Sequence, residues 1–123
     1  MGEIQDTIWL LTVKCSASAY PWVEGTLEET LPDRSYVGDS YSFQAKVYNE
    51  GSKFGINQGR ISKLAVWKND PEHKGFYRET IANYDRGWDI QPKDETAVEI
   101  LQKIVLGLEE SPKQHLNDAD ANS

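Results

Sequence analysis

The stretch "YSFQAKVY", Tyr41 to Tyr48, decides the fold. Tyr41, Phe43, Ala45 and Val47 fall on one face of an extended chain, and Ser42, Gln44, Lys46 and Tyr48 on the other. A strict period of two with one apolar and one polar side is a strand of a sheet packed on one face and wet on the other. The segments around it read in the same way. Thr7–Cys15, "TIWLLTVKC", is rich in β-branched and aromatic residues and predicts a buried strand. Trp22–Leu27, "WVEGTL", predicts a weaker one, with Gly25 marking a bulge or a close backbone approach. Arg60–Lys68, "RISKLAVWK", predicts a strand whose alternation slips near Ile61, as a bulge would make it. Phe76–Tyr84, "FYRETIANY", pairs back onto it after a hairpin loop over Asn69–Gly75, "NDPEHKG". Leu31–Ser40 predicts a loop by its Pro-Asp and Gly-Asp signals, and "DRGWDIQP" carries the chain away from the sheet to a stop at Pro92.

The helix lies further on. Asp94 is a good N-cap, with Glu95 beside the positive end of the helix. Ala97, Ile100, Leu101, Ile104, Val105 and Leu108 form a stripe at helical spacing that must face a core, and Gly107 and Pro112 bound its end. The expected architecture is α+β: an antiparallel sheet of four to five strands with one C-terminal helix on one face, in two layers. Residues 7–111 form this single domain, residues 1–6 a flexible start and residues 112–123 a disordered polar tail. "DADAN" (118–122) in that tail lacks the glycine and glutamate that would complete a calcium loop.

Bulk properties bound the chemistry. The chain has 123 residues, 38% of them hydrophobic and 27% charged, as in a soluble globular domain. Its longest apolar run, "IWLL", is far short of the roughly 20 residues of a membrane helix. With no signal-peptide pattern, a cytoplasmic protein is expected. The single Cys15 excludes an internal disulfide and reads as a buried, inert thiol. The net charge of −7 argues against general nucleic-acid binding. That charge is uneven: from Lys53 to Trp88 seven Lys and Arg face four Asp and Glu, while the remainder carries six against sixteen.

The basic region holds two unusual strings. "EGSKFGINQGRISKL", Glu50 to Leu64, spaces three glycines four apart among Lys53, Arg60 and Lys63. It is neither a Walker loop nor a dinucleotide fingerprint, because the spacings are wrong and Arg60 leads into a strand. It reads as a long hairpin connection, or as a place where glycine lets backbone approach a ligand. "NYDRGWD", Asn83 to Asp89, offers Tyr84 and Trp88 as flat surfaces and Arg86 as a fork for carboxylate or phosphate. Its bland alternative is an Arg86 ion pair with Asp85 or Asp89 and a Trp88 that plugs the core beneath the helix. Pairing Arg60–Lys68 with Phe76–Tyr84 brings the two strings together. The candidate ligand-binding residues are therefore Lys53, Arg60, Lys63, Tyr84, Arg86 and Trp88. His73 and His115 have no second metal ligand at a useful spacing, so no metal, cofactor or catalytic set is expected.

The order "WVEG", "FQAKVYNEGSKFGINQGRISKL", "NYDRGWD" and a short terminal helix resembles a family of small uncharacterised proteins of phages and mobile elements of low-GC Gram-positive bacteria. The resemblance covers about Trp22 to Leu108 and makes the leader with "TIWLLTVKC" look like an addition. It implies a compact α+β fold and a mobile-element setting, with no activity attached. The expected function is non-enzymatic binding or inhibition. The partner would be a host protein with a basic surface, suited to the acidic shell, or an anionic small molecule such as a nucleotide, suited to the basic centre. An assembly protein that forms a homo-oligomer through a sheet edge is a second expectation, and a small enzyme for phosphate esters a third.

Overall fold

The alternation in Tyr41–Tyr48 belongs to the third of six strands. The computed structural model describes residues 7–15, 17–33, 35, 37–69 and 78–113. Along the chain run β1 (Ile8–Cys15), β2 (Trp22–Thr30), β3 (Val37–Val47), β4 (Ile61–Asn69), β5 (Arg78–Asp85), β6 (Trp88–Ile90) and α1 (Glu95–Glu109). The strands form one sheet in the order β1-β2-β3-β4-β5-β6, each antiparallel to the next. The α+β class with a C-terminal helix is as expected; the strand count among the described residues is six, against the four to five read from sequence.

Two differences account for the extra sheet. The chain does not leave after Tyr84: it turns at Arg86 and Gly87 and returns as the three-residue β6, with Tyr84 opposite Trp88 and Asn83 opposite Ile90. β3 also starts inside the expected loop, because Val37 and Ser40 find partners in Thr30 and Glu28 of β2 across an irregular register. Neither segment is long enough to display a period of its own. β1, which the resemblance makes look like an addition, is integral: from Ile8 opposite Thr30 to Cys15 opposite Val23, it pairs with β2 in unbroken register.

The core face carries Leu27, Phe43, Ala45, Leu64, Val66 and Ala82, all at most 2% exposed. Against it α1 lays the expected stripe, with Ile100, Ile104 and Leu108 fully enclosed. Each such large side chain contributes about 1.5–3 kcal/mol by leaving water. The slip near Ile61 is a bulge: Lys46 faces Lys63 but Val47 faces Ile61, so Ser62 is the extra residue. It puts both Ile61 and Leu64 on the core side.

Gly25 and Gly107 are both places of close approach. A Cβ on Gly25 would collide with the Thr12 carbonyl and lie 2.8 Å from the Phe43 ring. Gly107 does not end the helix, contrary to expectation. It lies inside α1, where a Cβ would strike Leu11 of β1. Cys15 is exposed rather than buried, because it ends the edge strand. No helix among the described residues is long and apolar enough to cross a membrane. The expected flexible start (residues 1–6), most of the expected Asn69–Gly75 loop with His73, Phe76 and Tyr77, and the expected tail from 114 with His115 lie outside the described residues.

Candidate functional site

The glycine-rich segment joins β3 to β4 and folds on itself. Gly55 N–H donates to the Ser52 carbonyl (3.0 Å), Gln58 N–H to Gly55 (2.9 Å), Gly59 N–H to Ile56 (2.9 Å) and Ser52 N–H to Gly59 (3.1 Å). Side chains on Gly51 or Gly55 would run into the backbone of Gln58 or Gly59, and one on Gly59 into the Glu109 carboxylate. The glycines allow the loop to pack against itself and the helix end. These amides bond within the loop, so they do not converge on a phosphate.

Arg60 is committed to that helix end. Its Nη1 donates to the carbonyls of Glu109 (2.9 Å) and Ser111 (2.7 Å), its Nε to the Tyr48 carbonyl (2.8 Å), and its backbone N–H to Glu109 Oε2 (2.8 Å). The last turn of α1 has no basic residue of its own, and Arg60 supplies the positive charge that the C-terminal carbonyls favour. Tyr84 is likewise structural: it is buried on the core face, and its hydroxyl donates to the Phe54 carbonyl (2.8 Å). Trp88 stacks edge-on against Tyr84, with ring centroids 5.0 Å apart, and stays 39% exposed instead of plugging the core beneath the helix.

Lys63 and Arg86 do come together. They line one open cleft of about 510 Å³ with Lys46, Tyr20, Tyr48 and Phe54, and Asp85, Ser62 and Glu50 also line it. Lys46 and Lys63 are cross-strand neighbours on the wet face, and both approach the Trp22 ring, at 5.0 and 5.9 Å. Arg86 holds its place in the turn through its N–H, which donates to the Ser62 carbonyl (2.9 Å). Its guanidinium lies 4.3 Å from the centre of the Phe54 ring, and Lys53 approaches the same ring at 5.2 Å. Arg86 has φ 62°, a left-handed conformation that a glycine would adopt at lower cost.

The carboxylates leave the cations available. Lys63 meets Asp85 at 3.4 Å, but the two side chains are 38% and 54% exposed, a geometry worth little in water. Glu50 pairs instead with Lys113 at 2.7 Å. The hydrogen bond from Lys113, then its charge, then that of Arg60, hold the Glu50 carboxyl below the usual carboxylate range. The expected Arg86 ion pair with Asp85 or Asp89 is not among the bridges formed by described residues. Nor do the described residues offer three His, Cys, Asp or Glu side chains grouped as metal ligands.

Lys46, Tyr48, Tyr20, Trp22 and Phe54 escaped the sequence reading of the site. The signal for two of them was in plain view: Lys46 and Tyr48 stand on the polar face of the most regular strand, and a strand partner with Lys63 in it places Lys46 beside that lysine.

A family model described as a domain of unknown function, DUF7678, matches residues 21–109. The chain belongs to this family. The matched span agrees with the resemblance seen over Trp22–Leu108, and it takes in every lining residue of the cleft named above except Tyr20. β1 precedes the matched span, although it is built into the sheet of this DUF7678 member. No curated protein and no solved structure matches the chain.

Proposed function

We propose that this DUF7678 protein is a non-enzymatic binding protein whose cleft takes a small anion carrying a flat ring, a nucleotide being the nearest chemical class. One observation carries the reading: Lys46, Lys63 and Arg86 converge on a single cleft that is also walled by Tyr48 and Phe54, about 38% and 41% exposed. Its volume falls in the roughly 300–1,000 Å³ range of small-molecule sites. Lysine and arginine provide charge-assisted donors for phosphate, and an exposed ring provides a stacking surface. The left-handed Arg86 supports the reading further, since strained backbone held in place by its surroundings gathers at functional sites. In the phage or mobile-element setting that the sequence resemblance implies, such a protein would sequester a host nucleotide and so act as an inhibitor in the cytoplasm. The acidic remainder of the surface leaves a basic host protein as the second partner class.

Calorimetric titration with a nucleoside triphosphate, its nucleoside and inorganic phosphate tests this. Saturable binding of the triphosphate is expected. Lys46→Ala, Lys63→Ala and Arg86→Gly should each weaken it by about tenfold or more, the worth of one charge-assisted contact. Phe54→Ala should weaken the triphosphate but not inorganic phosphate. No binding by the native protein, or affinities untouched by all three cation variants, would refute the reading.

A further inference from the structure

The two edges of the sheet are unequal. β6 is three residues long, has Asp89 at its centre and is followed closely by Pro92, all devices that discourage another strand from joining. β1 is less protected, its one charge, Lys14, standing near its end. It presents eight residues, "IWLLTVKC", in unbroken register with β2, with one charge and no proline or bulge. Among the described residues no strand pairs with its outer side. Such an edge offers a row of backbone donors and acceptors in the geometry that another strand requires.

We infer that the outer edge of β1 pairs antiparallel with the same edge of a second copy of this chain, joining two six-stranded sheets into one. This inference is independent of the cleft, to which β1 contributes no lining residue. The strand is suited to itself. Residues directly opposite in an antiparallel pair point to the same face, so a two-fold axis through the joint must lie midway between a residue and its own equivalent. With the axis at Leu11, seven residues pair: Leu11 with its equivalent, Leu10 with Thr12, Trp9 with Val13, and Ile8 with Lys14. Trp9, Leu11 and Val13 are only partly buried and pack against the core, so the joint carries the apolar layer continuously from one copy to the other. On the wet face Lys14, the strand's one charge, lies opposite Glu24 of its own chain and would face only Ile8 across the joint. Its aliphatic stem covers Ile8, which is 45% exposed in the single chain.

Analytical ultracentrifugation of the full chain, from micromolar to near-millimolar concentration, provides the test. The native chain is expected to form a concentration-dependent dimer. Leu10→Lys with Thr12→Lys sets like charges opposite each other twice across the joint and should weaken the dimer by about tenfold. Within one chain the same change is benign, because residue 10 lies opposite Glu28 and residue 12 opposite Thr26. Leu10→Lys with Thr12→Glu places opposite charges at those positions and should restore the dimer. A native chain that stays monomeric throughout, as it would if another partner or another segment of the chain used the edge, overturns the inference. So does a dimer indifferent to both double variants. Should a variant fail to fold, amide exchange of the native chain decides: residues 8–14 must exchange more slowly when concentrated than when dilute, and equal rates overturn the inference.

Discussion

Arg60 and Arg86 both stand beside glycines at the same end of one strand pair, yet they do different work. Arg60 follows a glycine that admits the Glu109 carboxylate, and its guanidinium is spent on the carbonyls that end α1. Arg86 sits in a turn of the sheet, and its guanidinium lies over an exposed ring at the mouth of a cleft. Nothing in the local sequence separates these fates, because the helix end that claims Arg60 lies 49 residues away. Arg60→Met should therefore lower the unfolding free energy in urea by about 1–3 kcal/mol, the cost of leaving partly buried acceptors without their donor. It should leave ligand affinity unchanged. An Arg60 that contacted ligand would show the reverse pattern.

At the scale of elements, legibility followed periodicity. β3, β4 and α1 each repeat their pattern often enough to fix which side faces the core. Even the bulge at Ser62 was visible, since Ile61 and Leu64 are both apolar at a spacing of three. β6 and the first residues of β3 are ordered by their neighbours in the sheet, and a segment of three or four residues carries no period. Gly107 misled for a related reason. Glycine near the end of a helical pattern signals a stop, but here it makes room for Leu11, a contact that depends on β1 and α1 meeting in space. The start of the helix was legible because its cause is local. Asp94 Oδ1 accepts the Ala97 N–H at 2.8 Å. Asp94→Ala should cost about 1 kcal/mol, the usual worth of an N-cap, measured by thermal or urea unfolding. A loss of a few tenths or less would mean that packing of the apolar stripe alone holds the first turn.

For the whole molecule, an acidic chain of net charge −7 gathers Lys46, Lys63 and Arg86 around one aromatic-walled cleft. The basic region of the sequence located that neighbourhood, and strand pairing selected its members. Lys63 and Arg86 remain in it and Lys53 stands at the rim on Phe54, whereas Arg60 and Tyr84 belong to the frame. Trp88 reaches the surface beside Tyr84. On the proposed reading, concentration of positive charge within a negative molecule would draw small anions to that place and disfavour the extended backbone of nucleic acid. The most direct measurement is an amide chemical-shift titration of the protein with a nucleoside triphosphate. Saturable shifts centred on Lys46, Tyr48, Phe54, Lys63 and Arg86, and lost in Lys63→Ala, are the predicted result. Absence of shifts, or shifts confined to residues elsewhere on the sheet, would contradict it.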